Sequence, residues 1–172
     1  MGTFLFAQAD QSLIDKHQIG INASKFIVLF NEQVNNLDIS YRYSLSDSRR
    51  IRIASSVDIS TEEGDFANYE FRLGYDFNYK ETDKWRFYPG ADVTFGQSIL
   101  RSADRVNTSI GLLGFFGIQF KMGKHFSLST EPSLAVYSKI RKDPNSFDPD
   151  ANDQWMEVKL LNMGQIIVSF HF

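Results

Sequence analysis

The sequence predicts an all-β chain: eight antiparallel strands in up-and-down order, closed into a transmembrane barrel whose apolar side faces outward. Three observations carry that expectation. Apolar and polar residues alternate with period two along most of the 172 residues, the period of a strand and not of a helix. The connections between alternating stretches are short at one end and longer at the other. The apolar set is also too bulky for the interior of an eight-stranded barrel, which side chains just fill.

The elements follow in order. His17 to Phe30 supplies the first strand, alternating weakly through Ile19, Ile21 and Ala23 before the apolar run Phe26 to Phe30. In the second, Leu37, Ile39, Tyr41, Tyr43 and Leu45 alternate with Asp38, Ser40, Arg42 and Ser44. In the third, Ile51, Ile53, Val57 and Ile59 alternate with Arg52, Ala54, Ser56 and Asp58. The fourth is the cleanest: in NYEFRLGYDFNY, Asn68 to Tyr79, every second residue from Tyr69 is apolar or aromatic and none between them is. The fifth sets Trp85, Phe87, Ala91, Val93 and Phe95 against Arg86, Tyr88, Gly90, Asp92 and Thr94. The sixth, Thr108 to Lys121, puts Ile110, Leu112, Phe116, Ile118 and Phe120 on one face but leaves Leu113 and Phe115 on the other. The seventh alternates Phe126, Leu128, Leu134 and Val136 with Ser127, Ser129, Glu131, Ser133 and Ala135. The eighth runs from about Met156 to Phe172 and is expected to change phase near Leu160-Leu161, at a bulge.

Ser46-Asp47-Ser48, Lys80 to Lys84 and Met122-Gly123-Lys124 form the tight end. Asn31 to Asn36, Thr61 to Phe66, Ser98 to Val106 and Ser138 to Gln154 form the other. An even strand count places both termini on the short-turn side.

Composition bounds the alternatives. Aromatic residues make up 15% of the chain, sixteen of them Phe, yet mean hydropathy is −0.28, so apolar and polar residues are interleaved rather than segregated. No apolar run approaches the roughly 18 residues of a spanning helix. Cysteine is absent, which excludes a disulfide framework and thiolate metal sites. A net charge of −3 gives no nucleic-acid footprint. The length suits one domain, residues 17–172. Residues 1–16 read as a signal-peptide remnant, with apolar Phe4 to Ala7 and a small-x-small Ala7-Gln8-Ala9, or as a flexible leader.

With its bulky face outward, the barrel would bury its alternate face of small and charged residues. A water-soluble protein does not tolerate such an apolar belt, and a sheet in lipid must close on itself to satisfy its backbone. Tyr43, Tyr79, Trp85, Phe126 and Phe172 fall near the short turns, where aromatic side chains suit a membrane interface.

The terminal IIVSFHF, Ile166 to Phe172, together with these dyad strands, resembles the small eight-stranded outer-membrane barrels of the OmpA/OmpX-like kind and the barrel family common in Bacteroidetes. The resemblance covers His17 to Phe172. It implies a bacterial outer-membrane location, contact with outer-membrane lipids and lipopolysaccharide, and recognition of the C-terminal aromatic by the barrel assembly machinery.

The inward face is expected to hold Arg42, Arg52, Asp58, Glu70, Arg72, Asp76, Arg86, Asp92, Lys121 and Glu131. Both signs are nearly balanced, and buried charges need partners, so an interlocked plug is expected. Glu131, followed by Pro132, and its Arg partners are the residues to test. A gated polar path or ligand site is the sharper alternative. No catalytic residue, cofactor or metal is assigned. His17, His125 and His171 map to the short-turn end, the latter two near Ser127 and Ser169, with no acid at a triad spacing; they are expected as interfacial anchors. Asp148, Asp150 and Asn152 echo a calcium loop, but its sixth position is Asp153 rather than Gly and its twelfth is Lys159. Arg101, Arg105, Arg141 and Lys142 are candidates to meet lipopolysaccharide. The expected function is a non-enzymatic, porin-like outer-membrane barrel serving envelope integrity or surface interaction. A soluble lipocalin-like barrel, a narrow channel and a lipid-modifying enzyme are the rivals.

Overall fold

The computed structural model of the protein describes residues 16–24, 34–60, 66–100, 105–142 and 153–172, with main chain alone at 34–36 and 142. Alternation yields eleven β segments: β1 (His17–Asn22), β2 (Val34–Ser46), β3 (Arg49–Ser60), β4 (Phe66–Phe77), β5 (Lys80–Glu81), β6 (Trp85–Leu100), β7 (Arg105–Lys121), β8 (Phe126–Thr130), β9 (Ser133–Lys142), β10 (Gln154–Leu161) and β11 (Ile167–His171). All their pairings are antiparallel. β1, β2, β3, β4, β6 and β7 follow one another around the sheet; β7 pairs with both β8 and β9, β8 with β11, β9 with β10, and β11 returns to β1. Thus β8 with β9, and β10 with β11, are halves of single staves, and the ring has eight. β5 merely extends the β4–β6 hairpin, pairing Lys80 with Phe87. The fold is an eight-stranded up-and-down barrel.

The two interrupted staves have local causes. Pro132 lacks an N–H for the ladder, so the regular pairing pauses at Glu131-Pro132, although the Pro132 carbonyl still accepts from the Phe116 amide at 3.1 Å. Parity survives: Ser127, Ser129, Glu131, Ser133, Ala135 and Tyr137 all face inward and are buried. The other break, between β10 and β11, passes through Asn162 (φ 59°) and Gly164 (φ 78°), residue types that tolerate the left-handed region. The expected phase change at Leu160-Leu161 is corrected here. Met156, Val158 and Leu160 are exposed before the detour and Val168, Phe170 and Phe172 after it, so outward parity is unchanged.

The barrel is inside-out by the standards of a soluble protein. Arg42, Asp76, Asp92, Gln119 and Glu131 are among the most buried side chains, while Phe71, Leu73, Val93, Phe95, Leu112 and Phe126 are exposed. The soluble-barrel alternative needs the reverse. The inward exceptions of the sixth strand, Leu113 and Phe115, join Tyr88, Ala135 and Tyr137 in one apolar cluster inside the bore.

That cluster fits because each ring lies over the glycine paired with it on the next strand. Tyr88 pairs with Gly117 and Phe115 with Gly90 across β6–β7; Tyr137 pairs with Gly111 across β7–β9. A Cβ at these glycines would fall 2.2, 2.3 and 2.6 Å from the respective rings. Covering a strand glycine with a cross-strand aromatic stabilises the pair and shapes the wall.

The strands also run further at the loop end than the alternation indicated, β6 to Leu100, β7 from Arg105 and β9 to Lys142. The first strand ends earlier than expected, at Asn22, with Ala23 and Ser24 already outside it. Residues 1–15 of the expected leader 1–16, the expected continuation of the first strand through 25–30, and the connecting residues 31–33, 61–65, 101–104 and 143–152, Arg101 and the calcium-like Asp148 to Asn152 among them, lie outside the described residues.

Candidate functional site: the filled lumen

Strand register decides which inward side chains meet. Arg42 on β2 pairs directly with Arg52 on β3, Arg52 with Gly74 on β4, and Gly74 with Asp92 on β6. Gly74 is needed there: a Cβ would sit 1.9 Å from Asp92 Oδ1. Two adjacent guanidiniums would repel, and Glu131 lies between them. Its Oε1 accepts from Arg42, its Oε2 accepts from Arg52 Nη1 at 2.8 Å, and the Tyr88 hydroxyl donates to Oε1 at 2.5 Å. Asp76 accepts from Arg42 Nε at 3.1 Å and from Arg50 Nε at 2.5 Å, and Arg52 Nη2 stands 3.3 Å from Asp92. The cations also lie over rings, Arg50 at 4.5 Å from the Tyr88 centroid and Arg52 at 4.5 Å from that of Phe115. Three guanidiniums therefore meet three carboxylates, Asp76, Asp92 and Glu131, in a dry cross-section. A charge so buried is tolerated only with such partners.

Toward the loop end, Arg72 donates to Asp38 at 2.9 Å and lies 3.5 Å from Glu70, while the Tyr137 hydroxyl reaches across to Glu70 at 3.2 Å. Above this layer opens a cavity of about 450 Å³ that Asp58, Glu70, Lys139, Trp155 and Lys159 help to line. Toward the short turns the lining is neutral: Gln18 donates to Ser169 at 2.9 Å and Gln119 to Ser127 at 2.6 Å. At the short-turn mouth Glu81 receives Arg86 at 3.0 and 3.1 Å and also Lys121. Burial alone would raise the Glu81 carboxyl; the hydrogen bonds from Arg86 and Lys121 outweigh it and hold the group at about 2.

The expected charged set thus divides by height. Arg42, Arg52, Asp76, Asp92 and Glu131 make the central knot, Glu70 and Arg72 the layer above, and Asp58 the cavity wall. Arg86 and Lys121 are corrected: they do not interlock with the others but clasp Glu81 at the mouth. Parity assigned their face, but not how far along the bore they sit. Reading by charge along the alternating runs missed Arg50, Asp38, Glu81 and Tyr88. Arg50 shares the parity of Arg52 and was reachable from that alone; Tyr88 carries no charge to flag it.

His171 is also corrected. It faces inward, 8% exposed, with its ring 2.7 Å from the Ser127 hydroxyl. Ser127 is itself fully buried, so this pair offers no substrate a path. His17 stays on the outer surface, its ring centroid 5.4 Å from that of Phe172 and 5.2 Å from that of Tyr43, and His125 stacks on Phe170 at 5.9 Å. Tyr43, Tyr79, Trp85, Phe126 and Phe172 are all exposed on the outer face at the short-turn end.

No protein-family model matches the chain, and no curated protein does. Among solved structures the chain is similar to the crystal structure of Neisserial surface protein A, with a TM-score of 0.53 and 13% identity over 91% of this chain and 94% of that one. At that identity the likeness is one of fold. Together with the apolar exterior and the filled bore, it gives the chain the fold of an outer-membrane β-barrel.

Proposed function

We propose that the protein is a non-enzymatic barrel of a bacterial outer membrane that contributes to envelope integrity or surface interaction through the connections at its loop end. The single observation that carries this reading is the central knot. Glu131, bound at once by Arg42, Arg52 and Tyr88, fills the bore from wall to wall, leaving the outer surface and the loop end as the faces available to partners. The solved neighbour of similar fold is by name a surface protein, in keeping with that assignment. Lipids and lipopolysaccharide would contact the apolar belt, and the assembly machinery would engage the seam made by β11 and β1.

The test is direct. Fractionated cells should yield the protein with the outer membrane, the unboiled protein should migrate differently from the boiled one in detergent gels, and planar bilayers containing it should show no unitary conductance. Steady single-channel openings would reject the plug; recovery from the soluble fraction would reject the location.

A further inference from the structure

We infer that the vestibule above the plug is a binding site for a small zwitterionic ligand, one molecule carrying both a primary ammonium and an anionic group. The inference needs the fold but not the proposed surface role.

Its two walls differ in sign. On one side, β2, β3 and β4 present three carboxylates, Asp38, Asp58 and Glu70, against one guanidinium, Arg72, which the first and last of them already engage. Asp58 is left over: its Oδ1 is buried without a hydrogen-bond partner, and no ion pair engages it among the described residues. On the other side, β9 and β10 present Lys139 and Lys159, both drawn to the single carboxylate of Glu157, at 2.5 and 2.9 Å. One carboxylate cannot neutralise two ammonium groups, and the lysine side chains remain 25% and 44% exposed.

The walls stand opposite each other. Stepping from β3 through β4, β6 and β7 to β9 is half of an eight-membered ring. The Tyr137–Glu70 hydrogen bond, which spans the floor from β9 to β4, shows that side chains of opposite walls come within reach of one small molecule. A simple cation would meet the lysines and a simple anion the carboxylates, and a neutral ligand would leave Asp58 unpaired. A molecule with both charges answers both walls, and Trp155, with the Arg141 guanidinium 5.2 Å from its ring centroid, also lines the lysine side. The volume of about 450 Å³ lies within the usual span of small-molecule sites.

That chemistry belongs equally to a short peptide and to a phosphoethanolamine headgroup. Calorimetric titration of the folded protein in a non-ionic detergent should therefore use dialanine and glycerophosphoethanolamine, with ethanolamine and glycerol phosphate as single-charge controls. At least one zwitterion should saturate the protein, each control binding about tenfold or more weaker, and which zwitterion binds identifies the source. Asp58→Asn and Lys139→Met should each weaken that binding by about tenfold or more, while the gel shift of the unboiled protein shows the barrel intact. Absence of binding by both zwitterions, an ethanolamine affinity equal to theirs, or an unaffected Asp58→Asn protein would overturn the inference. None of these outcomes bears on the bilayer conductance that tests the plug.

Discussion

Replacing Glu131 by alanine removes one carboxylate and three hydrogen bonds from the driest part of the barrel. Glu131 is 1% exposed. Without it the central knot holds three guanidiniums against Asp76 and Asp92, an excess of one buried positive charge, and the Tyr88 hydroxyl loses its acceptor. Removing one partner of a buried pair costs about 3–5 kcal/mol, because the stranded charge is left without compensation. Arg42 keeps Asp76 and Arg52 stays near Asp92, so the lower half of that range is expected. The assay is reversible urea unfolding in detergent or lipid vesicles, scored by the mobility difference between folded and unfolded protein. A loss below about 1 kcal/mol would refute the view that this network sustains the fold, since that is the level of an exposed pair. Glu131→Gln, which keeps acceptor and volume, should fall between wild type and alanine. Arg42→Met combined with Glu131→Leu should recover much of the alanine loss, because a dry apolar pair replaces a charged one at little or no cost.

Other expectations follow from single contacts. Gly117→Ala puts a Cβ 2.2 Å from the Tyr88 ring and should destabilise by about 1–3 kcal/mol in the same unfolding assay. Gly114→Ala meets nothing within 4 Å and should stay within about 0.5 kcal/mol of wild type. Glu81 has its carboxyl lowered from 4.5 to about 2; its contribution is present above the unfolded value and is lost as pH falls through the folded one. Between about pH 4.5 and 2 the wild type should therefore lose stability more steeply than Glu81→Gln, and parallel curves would dismiss the clasp. Deleting Phe172 removes the reciprocal main-chain pair with His17, at 3.0 and 3.1 Å, and the ring stacked on it; refolding into vesicles should slow and the seam lose about 1–2 kcal/mol, whereas an unchanged rate would show that closure does not depend on the last residue.

What the sequence made legible was the face of each residue, because period two converts directly into inside and outside. Tyr69 through Tyr79 could be assigned outward, and Arg72 and Asp76 inward, without knowing any neighbour. Height along the bore was not legible. Arg86 shares the inward parity of Asp92 but sits six residues nearer the turn, and only the pairing of strands shows that it meets Glu81 instead of Glu131. The break at Asn162 illustrates the same boundary: its residue types announce a departure from the strand, but not that the departure would return the chain in its original phase. The fit of Tyr88 over Gly117 was hidden for a related reason, since it joins two strands whose alignment the alternation leaves open.

That openness has a consequence for assembly. A one-residue slip between neighbouring strands would turn lipid-facing side chains into the bore, and the apolar belt forbids it. A two-residue slip leaves every apolar residue outside, so lipid alone is indifferent to it. The central charges are not. Of the knot's members, β2 to β4 supply all three guanidiniums and one carboxylate, Asp76, while Asp92 and Glu131 come from β6 and the β8–β9 stave. Within the knot the two sides therefore carry +2 and −2, and the observed alignment brings them together. The knot would thus favour one register over its two-residue alternatives, a role in which buried ionic groups are best attested. Cysteine pairs placed across the β3–β4 and β6–β7 seams should cross-link in a single pattern in the native protein. They should do so in several once Arg42, Arg52, Asp92 and Glu131 are made neutral, and a single surviving pattern would hand the choice of register back to the turns.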